Sequence, residues 1–366
     1  MHLIAAITPA IYHMSFFQAI VIGLIQGVFE LFPLSSLGHT VLIPSWIGGS
    51  WATLVRQESL SESPYLAFIV GLHLANAIAL LAFYAREWYR VISGFFRSLV
   101  RRRVETDSER LAWLIVIATI PVGALGLVFE HTFRTLFAKP LAAAIFLCAN
   151  AVILAAGEWY RRRSQARTAS TMGTPRAARA TLTIGAPDLV SEHALPQDVP
   201  NPGRHQTGGG DEVGGVVPAL LRFRNEKFVA MDQDAEHQLA ARISMWSAFW
   251  IGASQALALL AGISREGVAM VGGLYRRLSN EDAMRFAFLL STPVIFAAGA
   301  LKVPDLLGHL GNGIRAQVLA GSGVAVVASF AAVAFLTRYF KTRTLVPFAI
   351  YSGLFGLASV IRFGLF

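Results

Sequence analysis

The chain has 366 residues, of which 55% are hydrophobic and 14% are charged, and its mean hydropathy is +0.55. A soluble domain carries about 25% charged residues, so this composition excludes an ordinary soluble protein and predicts a polytopic helical membrane protein. The formal net charge of +9 is explained by basic cytoplasmic loops, without a nucleic-acid partner. The single cysteine, Cys148, excludes an internal disulfide and a cysteine-based metal site.

Several segments are long and apolar enough to cross about 30 Å of hydrocarbon as helices. We predict six spans: Tyr65–Tyr84, Leu111–Phe129, Leu141–Gly157, Met284–Leu301, Ala316–Thr337 and Leu345–Ile361. Basic stretches follow the first and third spans and precede the fourth and last, so these loops are predicted to be cytoplasmic. Both termini then lie outside the cytoplasm, and the chain is predicted to cross the membrane several times.

Two further apolar stretches, Phe16–Trp46 and Met245–Tyr275, are interrupted near the middle by polar and turn residues. Non-helical backbone at membrane depth occurs only where protein or a water-filled cavity shields it. The two stretches therefore predict re-entrant helical hairpins, the first on the outer side and the second on the cytoplasmic side.

The two broken stretches are also internal repeats. Five residues of the first stretch recur in the second at a constant offset of 229 residues. They are Ile22, Gly23, Gln26, Ser35 and Gly38 in the first stretch, and Ile251, Gly252, Gln255, Ser264 and Gly267 in the second. Three spans follow each copy, so the second copy is inverted, and inverted repeats with broken helices place a binding site near the midplane. The predicted fold is all-α, with six transmembrane helices and two re-entrant hairpins arranged as an inverted repeat. The repeats are residues 1–163 and 241–366, separated by a disordered cytoplasmic insertion, 164–240.

The first break carries ionisable residues at membrane depth. Gln26 and Glu30 lie four residues apart and share a helix face. Glu30 is a functional candidate because burying a carboxylate is costly, with an arginine ion pair as the structural alternative. His39 is a candidate for acid–base work or a hydrogen-bonding residue.

Small and hydroxyl residues surround both breaks. Ser35, Ser36 and Gly38 allow backbone N–H groups to converge on an anion, and a serine helix cap is compatible with that role. In the second break Arg265, beside Ser264, offers a planar fork that suits phosphate, or an ion pair with a glutamate. The two breaks together form a set suited to phosphoryl transfer or phosphate binding, which a divalent cation would complete.

These motifs resemble those of a known family. The run Gln26–His39 resembles the [E/Q]GxxE-FLPxSSxGH signature of the undecaprenyl-diphosphate phosphatases, and Gly262–Gly267 is similar to their PGxSRSG motif. The resemblance covers nearly the whole chain apart from 164–240. It implies hydrolysis of undecaprenyl diphosphate to the monophosphate with Mg²⁺ or Ca²⁺, recycling the lipid carrier for cell-wall synthesis. It also implies a multi-pass protein of a bacterial inner membrane, with the active site facing the periplasmic or extracellular side.

The resemblance also implies a role for each motif residue. Glu30, with Gln26, would bind the metal, and the nucleophile would be Ser36 or a metal-activated water. His39 would act as general acid or base, and Arg265 would neutralise the diphosphate. The residues implied to bind substrate are Ser35, Gly38, Ser264 and Gly267. The implied partners are the polyprenyl diphosphate and membrane lipids, with a homodimer as an option.

The chain departs from the family pattern at Ala261, Leu37, Gln26 and Glu266. Glu266 replaces the second serine of the second motif, and Gln26 stands where many members have glutamate. We predict that Glu266 supplies the missing carboxylate as a further metal ligand. The runner-up function is a polyprenyl-phosphate transporter without hydrolysis. A structural membrane protein would leave the intramembrane polar cluster unexplained.

Overall fold

The computed structural model describes residues 14–58, 64–137, 139–172, 234, 236–308 and 311–365, and these contain helices and turns but no strand. In chain order the helices are α1 Phe16–Phe29, α2 Ser36–Ile47, α3 Gly49–Glu58, α4 Pro64–Phe83, α5 Ala85–Arg101, α6 Asp107–Phe137, α7 Pro140–Met172, α8 Met245–Ser254, α9 Arg265–Tyr275, α10 Asn280–Leu307, α11 Arg315–Tyr339 and α12 Val346–Leu365. A 3₁₀ turn, Gln255–Leu259, continues α8.

Long apolar helices dominate the described residues. Stretches of α6, α7, α10, α11 and α12 are long and apolar enough to cross a membrane. Helices α4 and α5 pass the same test only as a pair, bent by 88° at their junction, and supply at most one more span. The all-helical, polytopic class is therefore confirmed, and every predicted span overlaps one of these helices.

Helix α5 occupies a segment that the sequence predicted as a loop. The basic stretch after the first predicted span is helical from Ala85 to Arg101, so the loop prediction was wrong there. Its buried positions include Trp88, Val91 and Gly94, which recur at helical spacing, while several of its arginines are exposed. A basic amphipathic helix of this kind is typical of a membrane surface.

Both predicted interruptions are present. Residues 30–35 separate α1 from α2, and residues 260–264 separate the 3₁₀ turn from α9. The second arm of each unit is capped by a serine that the repeat had aligned, Ser35 or Ser264. Each accepts a hydrogen bond from the backbone N–H three residues later. A serine oxygen satisfies one of the N–H groups that a helix start leaves unpaired, which explains why helix resumes at these points.

Helices of the two halves pack reciprocally. Helix α1 packs along α11, and α8 packs along α6, so the first arm of each broken unit contacts a long helix of the other half. A Cβ atom on Gly23 would clash with the carbonyl oxygen of Gly321. At the repeat-matched Gly252, it would clash with the carbonyl oxygen of Ala118. Glycine at both positions is what permits these close approaches.

Several basic stretches meet at one end of the bundle. Asn280, which begins α10, donates a hydrogen bond to the carbonyl oxygen of Arg343, between α11 and α12, at 2.9 Å. Arg285 of α10 pairs with Glu87 of α5. Helix α5, the start of α10 and the α11–α12 turn therefore share one end, as the distribution of arginine and lysine predicted.

Most of the predicted insertion, 164–240, lies outside the described residues, which stop at Met172 and resume at position 234. Helix α7 continues beyond the predicted boundary at residue 163, to Met172. The described residues up to Ser164 and from position 234 onward belong to one compact unit. The site described next belongs to this unit.

Candidate active site

A pocket lies where the two breaks meet; its empty space is about 250 Å³ when the open solvent at its mouth is included. It is lined by Glu30, Ser35, Ser36, Leu37, His73, Ala258, Ile263, Arg265 and Glu266. Helices α2 and α9 both begin at lining residues, so their positive ends point to the same space. The pocket therefore combines acidic, basic and hydroxyl side chains with two helix N-termini, an arrangement suited to an anion.

Ser35 joins the two breaks through its backbone and its hydroxyl group. Its φ of +68° lies in the left-handed region, which is unusual for a residue other than glycine. Its Oγ accepts hydrogen bonds from the N–H groups of Gly38 at 3.2 Å and Gly262 at 3.0 Å. A Cβ atom on Gly38 would lie 2.9 Å from the Cα of Gly262, so the breaks touch backbone to backbone. The hydroxyl hydrogen of Ser35 remains to be donated to a ligand.

Asn150 of α7 bridges the same two breaks. This buried amide donates a hydrogen bond to the carbonyl oxygen of Pro33 at 3.0 Å and accepts one from the N–H of Ser264 at 3.0 Å. The Ser264 hydroxyl lies 3.4 Å from the carbonyl oxygen of Phe32 and accepts a hydrogen bond from the N–H of Gly267. Ser264 and Gly267 thus hold the breaks together here, and their binding of phosphate stays a prediction.

The two carboxylate oxygens of Glu30 have different partners. Glu30 is 3% exposed. Its Oε2 accepts hydrogen bonds from the Ser36 hydroxyl and from Nε2 of Gln26, the latter at 2.9 Å. The same oxygen lies 3.4 Å from Nε2 of His73, whereas Oε1 lies 3.6 Å from Nη1 of Arg265. Ser36, Gln26 and Arg265 offset the cost of burying the carboxylate and hold one oxygen against Ser36.

His39 is fully buried beside the pocket and does not line it. Its Nδ1 donates a hydrogen bond to the carbonyl oxygen of Ser35 at 2.7 Å, and its Nε2 lies 3.1 Å from the hydroxyl of Tyr351. The ring stacks on Phe29 and Phe355, with centroids 3.9 Å and 5.4 Å away. Both nitrogens of His39 are therefore engaged, and one of them supports the left-handed backbone of Ser35. Its acid–base role stays a prediction.

The second break brings Arg265 and Glu266 into the pocket. Glu266 is 2% exposed, and its Oε1 has no hydrogen-bond partner within the described part of the chain. Nη1 of Arg265 also lacks a hydrogen bond there, since its 3.6 Å approach to Glu30 is too long for one. Buried polar atoms are normally paired, so such atoms in a polar cavity indicate a ligand site.

The donor set also bears on the predicted metal. No group of three or more His, Cys, Asp or Glu side chains suited to a metal ion occurs among the described residues. The pocket lining contains two carboxylates, Glu30 and Glu266. Two carboxylates suit a hard cation whose remaining ligands are phosphate oxygens and water, which fits Mg²⁺ or Ca²⁺. Gln26 does not line the pocket and directs its amide N–H to Glu30.

Sequence reasoning missed three polar residues around the site: His73, Asn150 and Tyr351. All three lie within or beside predicted spans. The rule that singled out Glu30 treats a polar residue inside an apolar span as a functional candidate, and it applies equally to His73 and Asn150. Tyr351 carries no comparable signal, because tyrosine is common in membrane helices near their ends.

Residues 19–190 and 213–358 match the family model described as Bacitracin resistance protein BacA. The chain belongs to this family. Both breaks and all residues that line the pocket fall within the matched ranges. The match also includes residues 164–190 and 213–240 of the predicted insertion, for which the sequence motifs had indicated no resemblance.

Relatives with nearly the same extent are named for one activity. A Frankia alni protein named Undecaprenyl-diphosphatase 2 is 50% identical over 364 residues, covering 97% of this chain and 99% of the relative. The Undecaprenyl-diphosphatase of Mycolicibacterium paratuberculosis is 47% identical over 349 residues, covering 95% and 97%. Undecaprenyl-diphosphatase 2 of Chromobacterium violaceum is 32% identical over 353 residues, covering 95% and 99%.

Proposed function

We propose that this protein hydrolyses undecaprenyl diphosphate to undecaprenyl phosphate and inorganic phosphate. The observation that carries the proposal is the arrangement at Glu30, which accepts the Ser36 hydroxyl hydrogen through Oε2 and faces Arg265 through Oε1. A hydroxyl paired with a base, beside a guanidinium whose Nη1 lacks a hydrogen bond, is a set of groups for phosphoryl transfer. The names of the relatives supply the lipid substrate.

In the proposed reaction the Ser36 oxygen attacks the terminal phosphorus while Glu30 accepts its proton. The bond from that phosphorus to the bridging oxygen breaks, and undecaprenyl phosphate leaves. Glu30 then releases this proton to solvent. In the second step water attacks the phosphoserine and gives a proton to Glu30, the bond from phosphorus to the Ser36 oxygen breaks, and Glu30 passes the proton to that oxygen, so that phosphate is released and the Ser36 hydroxyl is restored. The alternative that the sequence left open is a metal-activated water as the nucleophile. Its direct attack on the terminal phosphorus, with Glu30 accepting a proton, would give the same products.

Arg265 and Ser35 bind the diphosphate in this scheme. The guanidinium can donate two parallel hydrogen bonds to phosphate oxygens, and the geometry leaves Nη1 without a hydrogen bond inside the pocket. Ser35 contributes its remaining hydroxyl hydrogen. The positive ends of α2 and α9 add to the attraction for the anion.

Glu30 and Glu266 are the proposed ligands of Mg²⁺ or Ca²⁺. A bound cation would neutralise charge on the diphosphate oxygens. Glu266 stands where the family motif has serine, and its unpaired Oε1 supports this assignment. Gln26 stands where many members have glutamate, and it donates to Glu30. Glu266 of the second break is thus proposed to supply the carboxylate that Gln26 of the first break lacks.

We further propose six transmembrane helices and two re-entrant hairpins, α1–α2 and α8–α9, in an inverted repeat within a bacterial inner membrane. The reciprocal packing of α1 and α8 supports this arrangement, as does the contact between the two breaks. The gathering of basic stretches at one end supports a cytoplasmic position for that end. The pocket would then be reached from the periplasmic side.

Thiol labelling tests the proposed orientation. Ser15, which caps α1, is predicted to lie outside the cytoplasm. In a Cys148→Ala background, Ser15→Cys should react with an impermeant thiol reagent added to intact cells. Labelling only after lysis would reverse the orientation.

Hydrolysis is tested with purified protein, undecaprenyl diphosphate and Mg²⁺. The expected products are phosphate and undecaprenyl phosphate in equal amounts, identified by phosphate assay and mass spectrometry. Absence of phosphate release from folded protein would overturn the proposal. Transport without hydrolysis is not favoured, because the relatives are named as diphosphatases and the pocket sets a serine against a carboxylate.

A further inference from the structure

We propose that His73 is a positioning residue, which acts through Gln26 on Glu30 and thereby fixes the oxygen that faces Ser36. The proposal deepens the proposed hydrolysis and rests on it. It begins from the observation that His73, rather than His39, is the histidine that lines the pocket.

The imidazole of His73 has a fixed donor side and a fixed acceptor side. Its Nδ1 lies 2.8 Å from the carbonyl oxygen of Ile69, one turn earlier in α4. A carbonyl oxygen can only accept, so Nδ1 carries the hydrogen. In the neutral ring Nε2 is then an acceptor. The amide nitrogen of Gln26 lies 3.2 Å from this Nε2 and 3.5 Å from Nδ1.

The amide group of Gln26 connects His73 to Glu30. Its amide nitrogen has two hydrogens and lies 3.2 Å from Nε2 of His73 and 2.9 Å from Oε2 of Glu30. Its carbonyl oxygen has no hydrogen-bond partner within the described residues. The two N–H contacts therefore determine the orientation of the amide. The reverse orientation would set a carbonyl oxygen against two acceptors.

Glu30 is the end of this chain of hydrogen bonds. Because Gln26 and Ser36 both donate to Oε2, that oxygen is held at the serine, and Oε1 is left for Arg265. Gln26 is completely buried and His73 is 8% exposed, so little water can replace a lost contact. Without the acceptor at His73, the Gln26 amide is free to rotate, and the carboxylate loses the contact that directs it to Ser36.

Two substitutions at His73 separate positioning from simple packing. His73→Gln places an amide about as far from the backbone as Nε2 and keeps an acceptor for Gln26. His73→Asn keeps a donor for the Ile69 carbonyl oxygen but does not reach Gln26. We expect His73→Gln to keep most of the wild-type kcat for phosphate release. We expect His73→Asn to lower kcat by about 10²-fold, the effect of a small misplacement at a catalytic group, with little change in KM.

The relative kcat values of the two variants distinguish positioning from packing. Equal losses, or higher activity in His73→Asn, would show that His73 acts through packing in α4 and would overturn the proposal. The matched controls are His237→Gln and His237→Asn, which make the same changes at an exposed imidazole that contacts Asp107 at 2.9 Å. Both controls should retain wild-type kcat.

A thermal cycle tests the same contact without substrate. The unfolding temperature is measured for wild type, His73→Leu, Gln26→Leu and the double variant. Residues that act as one hydrogen-bonded unit give non-additive effects, so the double variant should lose less than the two single losses combined. Additive losses in unfolding temperature would show that His73 and Gln26 do not act as one unit and would overturn the proposal. If wild-type protein releases no phosphate, the proposed hydrolysis fails, and this cycle still decides whether His73 acts on Gln26.

Discussion

The hydroxyl oxygen of Ser35 accepts a hydrogen bond from the backbone N–H of Gly262 at 3.0 Å, and so joins the break between α1 and α2 to the break before α9. The same oxygen caps α2 through the N–H of Gly38. One side chain thus fixes the start of a helix and the contact between two halves of the chain, directly beside Ser36.

We predict that Ser35→Ala destabilises the protein and lowers its activity. Two buried N–H groups, those of Gly38 and Gly262, would lose their acceptor, at a cost of about 1–3 kcal/mol for each unpaired group. The unfolding temperature and the rate of phosphate release report these effects. Ser45→Ala is the control, because the Ser45 hydroxyl donates to the Val41 carbonyl oxygen one turn earlier in the same helix. An unchanged unfolding temperature in Ser35→Ala would contradict the role of this contact.

The breaks were predictable because their signals are local. Polar and turn residues within apolar stretches predicted interruptions, and the shared spacing predicted that Ser35 and Ser264 occupy equivalent positions. The structure has both interruptions and caps a helix with each serine. Local sequence carries this information because a cap depends on residues only three positions apart.

Side-chain partners from distant helices were not predictable in the same way. His73 of α4 and Asn150 of α7 reach the site only through packing of several helices, and no spacing relates them to Glu30. The contact of Gln26 with His73 likewise depends on tertiary packing, whereas its contact with Glu30 follows from their four-residue spacing. Helix α5 was not predicted, because its many arginines indicated a loop. Its buried residues nevertheless recur at helical spacing.

We predict that Arg265→Lys lowers kcat/KM and that Arg265→Ala lowers it further. Lysine keeps the charge but loses the planar fork that binds two phosphate oxygens, and alanine also leaves Glu30 without its cationic neighbour. Phosphate release across a range of substrate concentrations gives both constants. Arg315→Lys is the control, because that guanidinium contacts the Leu307 carbonyl oxygen at 2.6 Å, away from the pocket. Near-normal hydrolysis by Arg265→Ala would remove Arg265 from the site.

We predict that Glu266→Ser weakens Mg²⁺ binding, because it removes one of two carboxylates from the pocket. Calorimetric titration without substrate measures the affinity, and the Mg²⁺ dependence of phosphate release measures its effect. Adding Gln26→Glu should restore the affinity but not kcat, since Glu30 loses the amide donor. Glu281→Ser, at a partly buried carboxylate 3.9 Å from Lys341, is the control. Unchanged affinity in Glu266→Ser would refute compensation between the two breaks.

We predict that deletion of Gly173–Glu226 leaves hydrolysis largely intact. All residues that line the pocket lie outside this segment, and its composition, rich in glycine, proline and arginine, is typical of chains without a packed core. Phosphate release is compared with wild type after gel filtration has shown that the variant is folded and monodisperse. Loss of activity in such protein would show that the segment contributes to the catalytic unit.

The most direct test of the central claim is single-turnover phosphate release from undecaprenyl diphosphate by wild-type protein, Ser36→Ala and Glu30→Gln. Glu30 accepts the hydrogen of Ser36 in a buried pocket, and removing either member of this pair should disable the proposed chemistry. A general base contributes about 10²–10⁴-fold, so a loss of that order is expected in Glu30→Gln, and a comparable loss in Ser36→Ala. Release by both variants at the wild-type rate would contradict the assignment of this pocket as the hydrolytic site.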